Sequence, residues 1–162
     1  NYNVVDTDAA KDVYATADYE FDSNGSVAGA YVYFGKAPAT GYTNDFNQIG
    51  VMFNLLRERF AVTGVALAGN DTKNKKGDKQ KSIMGYLQVD CKAMGDKVVP
   101  FARYDFVDTD NNKAKDEVKG PVLGVSWRPM TYGRLVGEYK YSDNQKDNYR
   151  KSYFTIEAQY MY

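Results

Sequence analysis

From Lys151 to Tyr162 the chain reads K-S-Y-F-T-I-E-A-Q-Y-M-Y. From Phe154 onward the apolar or aromatic residues Phe154, Ile156, Ala158, Tyr160 and Tyr162 alternate with Thr155, Glu157 and Gln159, until Met161 breaks the polar series. A strand turns successive side chains to opposite faces, so this spacing predicts a strand with one apolar and one polar face. A strand that pairs with another to close a barrel wall fits a chain ending this way, because free termini fray.

The same period recurs upstream. Val13 to Phe21 sets Val13, Ala15, Ala17, Tyr19 and Phe21 against Tyr14, Thr16, Asp18 and Glu20. Asn24-Gly25 then marks a hairpin, since a type I′ turn needs φ > 0 at both central positions. Val27–Gly35 is aromatic or small on both faces, and its pattern gives no orientation. In 46–56, Ile49, Val51, Phe53 and Leu55 oppose Gln48, Gly50, Met52 and Asn54. The link Arg57–Arg59 returns the chain into Phe60–Gly69, with one helical turn over Leu55–Phe60 as the alternative. Ile83–Cys91, Val98–Val107, Pro121–Trp127 and Leu135–Tyr141 follow, each alternating, and no helical period survives anywhere.

The connections alternate as well. Long polar ones (36–45, 70–81, 108–119, 142–150) interleave with short ones (22–26, 57–59, 92–97, 129–133). This predicts an all-β, antiparallel up-and-down meander of about nine strands, plus a remnant at Tyr2–Val5 too short to cross a bilayer. The expected fold is a transmembrane β-barrel of the outer-membrane type, with 1–162 as a single barrel domain or as the C-terminal portion of a larger one.

Composition narrows the function. Among 162 residues there are 21 basic and 21 acidic side chains, no His and one Cys. Zero net charge argues against a general nucleic-acid binder. The absence of His removes the usual zinc ligand and serine-protease base, and one Cys cannot build a disulfide framework. No enzyme activity, cofactor or metal is expected. No apolar run approaches the length of a transmembrane helix, which leaves barrel strands untouched.

Alternation does not say which face meets solvent. A soluble ligand-binding barrel puts the apolar face inside, a membrane barrel puts it outside. Aromatics along the apolar face (Tyr104, Phe106, Trp127, Tyr139, Tyr141, Tyr160, Tyr162) favour the second, as interfacial girdles. So do charges of both signs on the opposite face (Asp18, Arg103, Asp105, Arg128, Glu138, Lys140, Glu157). Free use of Gly and Ala on the apolar face points the same way, since a close-packed core would be left with voids.

The segments V-V-P-F-A-R-Y-D-F-V-D-T-D, G-V-S-W-R-P and V-G-E-Y-K-Y, with the aromatic-ended last strand, resemble the C-terminal third of Gram-negative porins of the phosphate-selective or general diffusion type. The resemblance covers roughly residues 97–162. The last strand is also similar to the C-terminal signal read by the barrel-assembly machinery: Thr155, Tyr160 and Tyr162 match, while Glu157 stands where glycine is usual.

The resemblance implies an outer-membrane location and passive diffusion of small hydrophilic solutes or ions without chemistry. It also implies contact with lipid and lipopolysaccharide, a trimer as the common assembly, and no nucleic-acid partner. Lumen charges would set selectivity, with Arg103, Arg128 and Lys140 facing Asp105, Glu138 and Glu157; simple cross-strand pairing is the alternative. A sleeve or receptor barrel holding a partner, and the soluble ligand-binding barrel, stay open.

Other patterns carry less. D-T-D-N-N at 108–112 opens like a calcium loop but has Lys113 and Lys119 where Gly and Glu are required. The lysines of 73–81 suit lipopolysaccharide phosphates or a plain solubilising loop. Glu138 and Glu157 on adjacent strands would be a weak glycosidase pair. Cys91 reads as a small hydrophobe.

Overall fold

A computed structural model describes residues 12–39, 41–72, 78–94, 96–110, 113, 116–145 and 149–160. The remnant at Tyr2–Val5, the lysines at 73, 75 and 76, Met161 and Tyr162 lie outside them.

The described residues form one antiparallel sheet of nine strands in strict sequence order, and no helix. The strands are β1 (Val13–Glu20), β2 (Val27–Ala39), β3 (Tyr42–Leu56), β4 (Phe60–Thr72), β5 (Lys79–Cys91), β6 (Val98–Asp108), β7 (Glu117–Met130), β8 (Gly133–Asn144) and β9 (Tyr149–Tyr160). The helical alternative at Leu55–Phe60 gives way to a hairpin, in which Leu55 faces Val62 and the Arg57 N–H donates to the Phe60 carbonyl at 2.9 Å. β1 and β9 are both unpaired edges, so the sheet is not closed into a barrel.

The strands outrun the alternating segments, mostly on one rim. Most of the stretch 36–45, expected as a long loop, is ladder: Lys36 pairs with Asp45 and Ala39 with Tyr42. The contrast between long and short connections is therefore weaker than the composition suggests. A polar segment continues a strand wherever its neighbour offers backbone partners, because the ladder is a main-chain property and hydropathy does not end it.

The register also drifts one way. A line through successive partners starts at Ala17 in the middle of β1 and passes Ala30, Val51, Ala66, Gly85, Phe106, Lys119 and Asp143. It arrives at Arg150, the second residue of β9. The hairpin midpoints shift by about one residue per strand, which at ~3.3 Å rise and ~4.8 Å spacing corresponds to a strand tilt of roughly 35°.

Five cross-strand pairs set an aromatic ring against a glycine: Tyr31 with Gly50, Phe46 with Gly35, Phe53 with Gly64, Phe106 with Gly85, and Phe101 with Gly124. At each of these glycines an added Cβ would run into the partner's ring. The ring lies over its partner's bare backbone, an arrangement that fills the gap and lets the sheet bend. Phe101 is thereby buried with Val122 and Val136, a small apolar cluster on the face that also carries Arg103 and Asp105. Gly120 sits beside Pro121, which has no N–H to give β8, and a Cβ at Gly120 would meet the Tyr141 carbonyl.

Two turns on one rim are clamped together. Asp22 accepts hydrogen bonds from the Asn24 and Ser26 N–H groups, both at 3.0 Å, and from the Arg57 guanidinium at 2.7 Å. The fully buried Ser26 hydroxyl accepts from the Leu56 N–H at 2.9 Å. The Ser26 N–H, followed by the Ser26 hydroxyl, Arg57 and the Asn24 N–H, holds the Asp22 carboxyl well below the usual carboxylate range, against the opposing effect of desolvation.

Ser26→Ala leaves the Leu56 N–H without its acceptor and should cost ~1–3 kcal/mol in denaturant unfolding. A lowered native pKa supplies stability that is present above the unfolded-state value of about 3.9 and lost as pH falls through the native one. Wild type should therefore lose stability more steeply than Asp22→Asn between pH about 4 and about 2. Equal slopes in acid titrations of the unfolding midpoint would refute the clamp.

Candidate functional site

The register gives every strand an outward and an inward row. Outward lie, for example, Val32 on β2, then Ile49, Ala68 and Ile83, each the direct partner of the one before. On the C-terminal side Ala102, Leu123, Tyr139 and Phe154 are joined the same way. On β7 this apolar row is the exposed one: Leu123 is 58% exposed, whereas Val122, its neighbour on the other face, is 1% exposed; on the edge strands β1 and β9 both rows are exposed. Val27–Gly35, which hydropathy leaves unoriented, is fixed by its partners, with Ala28, Ala30, Val32 and Phe34 outward.

The apolar surface is a band with an edge. From Ile83 to Cys91 it runs roughly 27 Å along β5 at ~3.4 Å per residue, or about 22 Å after the tilt. Toward the rim where β2 ends and β3 begins, outward positions turn polar. Lys36 pairs with Asp45 at 3.3 Å, Asn70 donates to Asn47 at 3.0 Å, and Arg150 meets Asp143 at 3.8 Å, all between direct cross-strand partners. Within the band, small residues at Gly64 and Ala66 leave a trough of about 500 Å³ between Phe53, Leu87, Tyr104 and Phe106.

The expected girdle residues lie in this band. Tyr104, Trp127 and Tyr139 are each 48% exposed and Tyr160 is 71% exposed; Phe106 is half-buried. Trp127 and Tyr160 lie near the strand ends on the rim of the 57–59 turn. Tyr104 and Tyr139 fall at mid-strand rather than near an end; β8 extends at both ends beyond its alternating segment, whereas β6 matches its own to one residue. Tyr162 is outside the described residues. Cys91 is exposed on the same face.

Inward, four of the six expected lumen charges come together. Asp105 accepts from Arg103 Nε at 2.7 Å and from Lys140 Nζ at 2.9 Å, while Glu138 lies 3.6 Å from Arg103 Nη1. Arg103 also reaches Gln88 Oε1 at 3.4 Å and lies 6.0 Å from the centre of the Tyr86 ring. The quartet spans β6 and β8 over Val122 of β7, which stands between Arg103 and Lys140 in the register. Two cations and two carboxylates balance. Glu157 stands apart on β9 and accepts from Gln159 Nε2 at 2.8 Å.

Arg128 is also apart. It lines a polar hollow of about 370 Å³ at the 92–97 rim with Lys92, Asp90, Asp96, Ser126 and Arg134. Lys92, Asp96 and Arg134 carry no motif; Arg134 pairs with Gln159 on the row of Ser126 and Lys92 follows Asp90 on that row, which needs the register to be seen, while Asp96 reaches the hollow from the 92–97 turn. In the 108–119 connection Asp110 and Asp116 are buried, and Lys113 reaches Asp110 at 2.9 Å. Among the described residues no group of three or more Cys, Asp or Glu is arranged to hold a metal ion. No protein-family model, curated protein or solved structure matches the chain.

Asp105 anchors both cations of the quartet, so Asp105→Ala should cost ~1–3 kcal/mol. Glu138→Gln, which loses one long ion pair, should stay within ~0.5 kcal/mol. Denaturant midpoints of the two variants test this ordering; a larger loss for Glu138→Gln would contradict it.

Proposed function

We propose that the chain is a section of the wall of an outer-membrane-type β-barrel that lets small hydrophilic solutes or ions diffuse through a polar lumen. The carrying observation is that the apolar row is exposed along β7, while on β6 and β8 the opposite row carries charges of both signs that hold one another. A soluble barrel would need the opposite arrangement, and a free apolar face of this size is a liability in water. The band height near 22 Å and the tilt near 35° agree with the ~25 Å band and 35–45° tilt of membrane barrels. The porin resemblance of residues 97–162 supports the same reading.

Closure constrains the whole. Nine strands alternating in direction leave β1 and β9 running the same way. An antiparallel wall therefore needs an odd number of further strands between the two edges, giving an even total. A sleeve around a partner protein would share the wall but be sealed.

Protein extracted from membranes should migrate faster on a gel before heating than after, and should give discrete conductance steps in a planar bilayer. Absence of conductance in a folded, heat-modifiable protein would sink the channel and favour the sleeve. Partition into the aqueous phase of a detergent separation would sink both. Leu123→Arg, in the middle of the band, should cost ~2–4 kcal/mol when the protein folds into lipid vesicles, and Arg at an exposed position of the opposite row such as Thr155, the partner of Glu138, much less.

A further inference from the structure

The inward charges fall into two groups that differ in one respect: whether they already hold each other. Arg103 and Lys140 are tied to Asp105 and Glu138, and their side chains are 23% and 39% exposed. A passing ion meets a nearly neutral quartet there. Arg128 has no hydrogen-bond or ion-pair partner for its guanidinium among the described residues, and neither does the Lys92 ammonium. Arg134 is oriented rather than neutralised: Nε donates to Ser126 Oγ at 2.8 Å and Nη1 to Gln159 Oε1 at 3.4 Å, both uncharged acceptors.

These three cations share the hollow with two carboxylates. Asp90 accepts from Gln88 Nε2 at 2.9 Å, and Asp96 stands on the 92–97 turn. The excess is one positive charge, carried by groups free to exchange partners. Guanidinium groups present parallel N–H donors that match a carboxylate edge, and a fixed Arg134 lowers the ordering cost of that contact.

Given the channel reading above, we infer that this rim hollow, and not the mid-wall quartet, is the selectivity-setting contact of this wall, and that it favours small carboxylate anions. Arg128 and Arg134 grip the anion, Lys92 raises its local concentration, and Ser126 holds Arg134 in place. The quartet keeps β6, β7 and β8 together.

The test compares two variants of the membrane-extracted protein in planar bilayers under a potassium acetate gradient. Lys92→Gln with Arg128→Gln should shift the reversal potential toward cations, lowering the acetate-to-potassium permeability ratio about twofold or more. Asp105→Asn with Lys140→Gln, neutral overall, should leave that ratio within the wild-type error. A shift in the quartet variant alone, an equal shift in both, or none in either overturns the inference while leaving the channel standing. If wild type does not conduct, the channel reading fails, and a second measurement decides the contact itself. In detergent micelles, acetate titration should move the Arg128 Nε–H resonance and leave that of Arg103 in place; chloride at equal ionic strength should move neither. The reverse order of response, or the same response to both salts, overturns the assignment.

Discussion

Every strand is bound to its neighbour through the main chain, and that ladder fixes on which face each side chain lies. With the hairpin registers set, parity leaves no freedom: Val51 lies with Ala30 and Ala66, and Gln88 lies with Arg103 and Thr63. A slip of one residue in any hairpin would put charges such as Arg103 into the apolar band and Tyr104 or Leu123 among the charges. Both the exposed band and the charged row follow from this one constraint.

Size, as well as polarity, is distributed by the same ladder. Opposing Phe101 to Gly124, or Phe53 to Gly64, gives each pair nearly the volume of two medium residues while leaving one backbone bare. On the face of the quartet the Phe101 ring covers Gly124, and Lys140 reaches Asp105 across β7 over Val122, which stands between Arg103 and Lys140 in the register. The glycines that weaken a strand by propensity thus help to shape the wall, provided the partner strand supplies a ring.

Strand existence and parity were legible in hydropathy, because one face is apolar over most of each strand. Strand ends were not. Lys36–Asp45 and Asn70–Asn47 are ladder pairs between polar residues on the face that is apolar elsewhere, and such segments look like loops to any hydropathy rule. Val27–Gly35 could not be oriented alone because Tyr31 and Tyr33 on one face balance Val32 and Phe34 on the other; the neighbours decide. Of the charged residues, Arg103, Asp105, Glu138 and Lys140 were recognisable by parity on their own strands. The clamp of Asp22, Ser26 and Arg57 joins turns far apart in sequence, and the rim hollow joins β5, β6, β7 and β8. Neither has a local signature.

The two charge groups also answer to different energetics. In the quartet, charges withdrawn partly from water are offset by one another, and their worth lies mostly in not being left alone. Such an arrangement stiffens a wall and leaves little field for a solute to feel. At the rim, Arg128 keeps its water and its freedom, so its field reaches outward over the Debye length, about 8 Å at physiological salt. Position strengthens the difference. In the channel proposed above, a charge at the mouth would act before a solute loses its hydration, whereas a charge in mid-wall has neighbours 2.7 and 2.9 Å away to act against. Under that proposal discrimination falls to the free charge at the rim and cohesion to the paired charge of the quartet.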